Sequence, residues 1–258
     1  MAERRKFRTR EVVLAVAAGV VAAGGAALTL DALKDDGPTV AITGPREMTY
    51  EVAPFQQVAT VGPQDVVITY GDGFAVRSEG SPDAIARLEA VVENGTLTIR
   101  PKDGWNGVFG RGDSSSATFY VTLPLLEGVS LAGSGDVSVD RVQGSRFEAE
   151  IAGSGELSID DLRVDRADFS IAGPGDIVVA GAVRETHVSI LGSGGVQGDD
   201  LVSRTADVSV AGSGDVSLNV ESAANVSMVG SGDVDISGPA RCSISRLGSG
   251  DVTCNGDE

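Results

Sequence analysis

Gly133-Ser134-Gly135-Asp136-Val137, Gly153-Ser154-Gly155-Glu156-Leu157 and Gly173-Pro174-Gly175-Asp176-Ile177 are successive copies of one five-residue corner. Four more follow: Gly192-Ser193-Gly194-Gly195-Val196, Gly212-Ser213-Gly214-Asp215-Val216, Gly230-Ser231-Gly232-Asp233-Val234 and Gly248-Ser249-Gly250-Asp251-Val252. The first glycines are 20, 20, 19, 20, 18 and 18 residues apart. A period in this range marks a solenoid, in which each repeat is one coil that buries its apolar side only against its neighbours. Glycine suits the corner because a tight turn between strands needs positive φ or close backbone approach, which a Cβ obstructs.

Two apolar columns follow from the alignment. Val137, Leu157, Ile177, Val196, Val216, Val234 and Val252 come directly after the corner, and Leu131, Ile151, Ile171, Ile190, Val210 and Met228 precede it by two positions. One position further back lie Ser130, Ser170, Ser189, Ser209, Ser227 and Ser245, with Glu150 as the exception. Inward apolar and outward serine positions alternate with the period of two expected of half-buried strands. Arg246 interrupts the inward column in the last coil, which reads as a cap over an open edge. Seven coils at about 4.8 Å each would stack to roughly 34 Å. Composition agrees: 35 glycines and only 4% aromatic residues favour short strands over helices.

The chain starts differently. Arg4, Arg5, Lys6, Arg8 and Arg10 crowd the first eleven residues, while Val12 to Leu30 carries no charge. As a helix, those 19 apolar residues would span about 28 Å, close to the bilayer's hydrocarbon core. Residues 1–30 therefore read as a single membrane anchor through residues 12–30 or as a signal peptide cleaved near Ala22 to Ala27. Either sends the rest of the chain out of the cytoplasm. Arg4-Arg5-Lys6-Phe7 also resembles a twin-arginine export signal. Residues 31–49 form a linker containing Asp35-Asp36-Gly37-Pro38, residues 50–254 the main domain, and residues 255–258 a short tail. Beyond residue 11 there remain 15 basic and 35 acidic side chains, a formal net charge of −20. Such a surface repels a phosphate backbone and excludes nucleic acid as the expected partner.

Within the first half of the domain, Val66 to Tyr70, Leu97 to Ile99 and Ala117 to Val121 read as strands. A helix is expected from Ser81 as N-cap, with Pro82 in its first turn and Ile85, Leu88, Val91 and Val92 on one face, ending near Asn94-Gly95. Asp103 to Ser116 reads as a loop around Trp105 and Phe109. Cys242 and Cys254 are expected to pair in an oxidising compartment and pin the C-terminal end, since a metal site would need more Cys or His ligands and the chain has one histidine, His187.

The corners, together with Val121-Thr122-Leu123-Pro124-Leu125-Leu126, the Asn94-Gly95-Thr96-Leu97 turn and the Cys242 to Cys254 bracket, resemble the head GIN domain, a bacterial family described as an autotransporter-adhesin head. The likeness covers about Tyr50 to Cys254. It implies an all-β right-handed parallel β-helix of about 20 residues per coil, with one short inserted helix, on a bacterial envelope protein. The family has no assigned catalytic centre, so no functional residue is carried over. Pro174 and Gly195 depart from the repeat.

Candidate sites are few. Asp136, Asp176, Asp215, Asp233 and Asp251, with Glu156, would line up along the coils, which raises a cation ladder. One carboxylate per coil is a poor ligand set for calcium, however, and corner hydrogen bonding explains the acids equally well. Arg111-Gly112-Asp113 spells an integrin-recognition tripeptide that a Gly- and Asp-rich chain produces by accident. His187 has no Ser/Asp arrangement near it in sequence and reads as a rim histidine, and Gly192 to Gly195 lacks the Lys-Ser/Thr of a phosphate loop. No catalytic residue, metal or cofactor is assigned. The expected function is that of an exported, noncatalytic envelope module contacting an envelope or cell-surface protein or glycan. The alternatives are a periplasmic scaffold or sensing partner held at the inner membrane, and a polysaccharide-acting β-helix enzyme, for which sugar-stacking aromatics are scarce.

Overall fold

The computed structural model describes residues 47–102 and 117–256. The expected membrane segment 12–30, the loop around Trp105 with Arg111-Gly112-Asp113, and most of the linker lie outside the described residues. What is described is a nearly all-β solenoid of about 20 residues per turn with one short helix.

Two rows of parallel strands build it. Strands β8 (Gly128–Gly133), β10 (Val142–Gly153), β11 (Glu156–Gly173), β12 (Asp176–Gly192), β13 (Val196–Gly212), β14 (Val216–Gly230) and β16 (Arg241–Gly248) pair in that order through the residues that lead into each corner. The second row runs from β9 (Val137–Val139) through the first residues of β11 to β14, then to β15 (Val234–Ser237) and β17 (Val252–Cys254). The aligned columns become physical ones: Ile171 lies opposite Ile151 and Ile190, and Ser189 opposite Ser170 and Ser209. Repeat-length differences are absorbed away from the corners, at register shifts such as the one between Gly198 and Val202.

Burial follows the alternation, with the Leu131, Ile151, Ile171, Ile190, Val210 and Met228 column buried throughout. Large and small side chains compensate between layers. Phe147 lies opposite Ala167, and Phe169 lies opposite Ala149. All four are buried, so each ring occupies the volume that the neighbouring alanine leaves.

The N-terminal end departs from simple succession. Strand β2 (Gln57–Gly62) turns through Gly62-Pro63-Gln64-Asp65 into β3 (Asp65–Tyr70), and Gly62 pairs with Gly133. This is an eighth corner, with Gln64 in place of the second glycine. Gln64 is buried and donates through Nε2 to Thr60 Oγ1 at 2.8 Å and to the Ile99 carbonyl at 3.3 Å. The β2–β3 coil sits between the coil that follows it in space, β8–β9, and one formed later in the chain by β6 (Thr96–Pro101) and β7 (Ala117–Leu123). Outside them an antiparallel layer closes the end: β4 (Ala75–Gly80) on β7, β1 (Glu47–Tyr50) on β4, and β5 (Leu88–Glu93) on β6.

The helix is shorter than its apolar spacing suggests. It spans Pro82–Arg87, with Ser81 Oγ accepting from the Ala84 amide at 3.2 Å as N-cap. Leu88 to Glu93 is strand instead. Val91-Val92 favours the extended backbone, and Asn94-Gly95, both at positive φ, makes the two-residue hairpin turn joining β5 to β6.

Candidate functional site

The corner acids act on the backbone. Asp136 Oδ1 accepts from the Glu156 amide at 3.0 Å, Asp176 Oδ1 from Gly195 at 2.7 Å, Asp215 Oδ1 from Asp233 at 2.8 Å and Asp233 Oδ1 from Asp251 at 2.9 Å. Asp65 begins the series, accepting from the Asp136 amide at 3.0 Å. Each carboxylate therefore fastens its own corner to the next one along the solenoid. At Gly195 no side chain continues the chain of bonds, and a notch of about 260 Å³ opens there between Asp176 and Asp215. Beside the acids, Gly212 holds φ +141° and the Ser213 amide donates to the Gly192 carbonyl at 2.8 Å. A Cβ on Gly212 would overlap that same carbonyl.

Cys242 and Cys254 are joined, with Cα atoms 6.5 Å apart. The bond ties β16 to β17 across the last coil. Arg246, in the column that Met228 occupies one coil earlier, donates through Nη1 to the Gly250 carbonyl at 2.6 Å and to Asp251 Oδ1 at 2.9 Å.

A concavity of about 590 Å³ lies on the outer face of the row that leads into the corners. Two outward columns line it: Glu148, Asp168, His187, Asp207, Asn225 and Ser243, and beside them the serines from Ser170 to Ser245. A third outward column, nearer the corner, is apolar, with Leu191, Val229 and Leu247 exposed by 67%, 52% and 71%. Hydroxyls, carboxylates and hydrocarbon thus run side by side along the coils.

Arginines neutralise one end of this face. Arg166 grips Asp168 with Nη2 at 2.9 Å from Oδ1 and Nε at 3.0 Å from Oδ2, and Arg146 Nε reaches the same Oδ2 at 3.1 Å. The hydrogen bonds from Arg166, aided by its charge and that of Arg146, hold the Asp168 carboxyl below the usual carboxylate range despite opposing desolvation. His187 lies next to Asp168 on one side and Asp207 on the other. In sequence it reads as a rim histidine with no Ser/Asp arrangement near it. Its partners are one coil away, and Asp168, His187, Asp207 and Asn225 all stand five positions before a corner glycine, which is the signal that brings them together.

Known proteins share this architecture. A "putative adhesin" from Bacteroides fragilis NCTC 9343 is 22% identical with a TM-score of 0.70, covering 80% of this chain and 94% of its own. A "putative lipid binding protein" from Parabacteroides distasonis ATCC 8503 is 23% identical with a TM-score of 0.63, covering 83% and 98%. A second "putative adhesin" from that organism is 17% identical with a TM-score of 0.62, covering 80% and 94%. At these identities the likeness concerns the fold. No curated protein matches the chain. The family described as "Putative auto-transporter adhesin, head GIN domain" matches residues 54–240, which contain the eighth corner, the hairpin and six of the seven repeated corners, and the chain belongs to that family.

Proposed function

We propose that this is an exported, noncatalytic envelope protein whose grooved strand face is a contact surface for a glycan or protein of the envelope or of a neighbouring cell. The observation that carries this reading is the groove itself, lined by carboxylates and hydroxyls at the coil spacing, with the exposed Leu191, Val229 and Leu247 in the column beside it. A repeating polar and apolar ladder suits an extended partner that hydrogen-bonds along its length while resting its C–H groups on Leu191, Val229 and Leu247. The basic N-terminus and the uncharged run from Val12 to Leu30 support export. Beads coated with the purified chain should bind bacterial cells or arrayed surface glycans. Ser189→Arg with Ser209→Arg should reduce that binding at least tenfold, and Ser138→Arg, on the other strand row, should not. Equal binding by all three proteins would remove the groove from the function.

The length of that apolar run also favours a second reading, a periplasmic interaction partner retained at the inner membrane. Envelope fractionation with N-terminal sequencing of the mature protein separates the two: an intact Met1 in the inner membrane fraction supports retention, and a new N-terminus near Ala27 supports release.

A further inference from the structure

At the edge of the groove, the coil spacing brings Glu185 together with the groove residues His187 and Asp207, one ligand atom from each lying within 4.8 Å of the others. Glu185 and His187 are two apart on β12 and so share its outer face, and Asp207 is the cross-strand partner of His187 on β13. His187 Nε2 stands 3.1 Å from Glu185 Oε1, and Nδ1 stands 3.6 Å from Asp207 Oδ2. Nε2 is closed off from solvent and makes no well-aligned hydrogen bond. A ring nitrogen closed off from solvent beside a carboxylate oxygen, without an aligned hydrogen bond to it, is an unsatisfied polar atom that a bound cation would satisfy.

The carboxylates are held from behind. Arg166 Nη1 lies 3.6 Å from Glu185 Oε2, leaving Oε1 toward the histidine. Asn225 Nδ2 donates to Asp207 Oδ1 at 2.7 Å, leaving Oδ2 toward the histidine. Asp168, on the other side of the ring, is already held by Arg166 and Arg146. Orientation of each ligand by a group behind it is the usual support of a metal centre. Ligands at about 2.1 Å from an ion stand at most about 4.2 Å apart, and because a single ring nitrogen binds the ion, the imidazole or one of the half-exposed carboxylates turns to bring both oxygens to the same nitrogen.

We propose that Glu185, His187 and Asp207 bind one divalent transition-metal cation on the groove face. One imidazole with two carboxylates suits zinc or manganese better than calcium or magnesium, which take all-oxygen sets. Three protein ligands leave a coordination position open toward the groove, where a hydroxyl or carboxylate of a bound partner completes the shell. The site stands independently of the partner's identity, because it is tested with the ion alone.

The test is calorimetric titration of Zn²⁺ into the full-length chain, purified without a polyhistidine tag. One equivalent should bind, with affinity lost in His187→Ala and weakened about 10- to 100-fold in Asn225→Leu, which leaves all three ligands in place. His187 is the chain's single histidine, so its imidazole NMR signals report the site without ambiguity in the unmodified protein. Zinc should shift those signals at one equivalent, and less so as the pH falls and protons compete for the ring. Absence of binding at 100 times the protein concentration, affinity unchanged in His187→Ala, or zinc uptake that leaves the imidazole signals in place each overturns the proposal.

Discussion

Asp168 illustrates how one residue is shaped by the layers around it. Its carboxylate is enclosed by Arg166 on its own strand and Arg146 on the preceding coil, and only 19% of its side chain stays exposed. The folded carboxyl is consequently more acidic than it would be in the unfolded chain. A carboxyl with a depressed folded pKa contributes stability above its unfolded value, near 4, and loses it as the pH falls through the lower folded value. Asp168→Asn is therefore expected to be less stable than the parent at pH 7, with the difference shrinking as the pH falls from the unfolded value through the depressed folded one. Urea melts of the two proteins across that range check it; a constant difference would mean that the carboxylate's charge is not what matters. Single residues were the hardest scale to read from sequence. The inward Ile and outward Ser positions are explicit in the alternation, but the neighbours of Asp168 and His187 come from other coils and become visible only when positions are aligned relative to the corners.

At the scale of the element, the corner is legible in the sequence, and so is hydrogen bonding as a role for its acids, but not which amide each acid takes. Seven corners of the Gly-Ser-Gly-Asp type announce a turn, yet the acids' acceptance of the next corner's amide depends on how closely corners stack. The corner at Gly62 is masked in the sequence because Pro63 and Gln64 replace its serine and second glycine, although Asp65 and Val66 follow as Asp136-Val137, Asp215-Val216, Asp233-Val234 and Asp251-Val252 do in their copies. The helix stops at Arg87 for a physical reason: Leu88, Val91 and Val92 satisfy a helical spacing, but a tight Asn94-Gly95 turn joins that segment antiparallel to β6. Gly212 carries the element-scale prediction. Gly212→Ala meets both a backbone angle reserved for glycine and the Gly192 carbonyl, so it should lower stability by at least about 2 kcal/mol. Ser213→Ala, at the adjacent position whose amide and not its hydroxyl makes the corner bond, should change it by less than about 0.5 kcal/mol. Chemical denaturation of the pair tests the distinction.

Across the whole molecule, stability is distributed coil by coil, since each coil contacts only its neighbours. Among the described residues, the last coil has a neighbour on one side alone: most of β16 is exposed, including Ile244 at 46%. The Cys242–Cys254 bond compensates by closing a short loop, worth about 3 kcal/mol in the chain-entropy account. Replacing both cysteines by serine should accelerate amide hydrogen exchange in β16 and β17 while leaving β11 and β12 protected. Uniform acceleration across the coils would instead mean that the solenoid opens as a single unit.

The intercalated position of the β2–β3 coil bears on how the chain assembles as it is synthesised. When Tyr70 has emerged, that coil has neither of its two permanent neighbours, for the β6–β7 strands end at Leu123 and the β8–β9 strands at Val139. Its apolar strands stay adhesive until roughly twice that length of polypeptide is available, and only then is there a completed platform on which later turns can be laid down one after another. A chain interrupted before Ala117 would be left with a sticky, half-built foundation, so this region is where a holdase chaperone would be needed most.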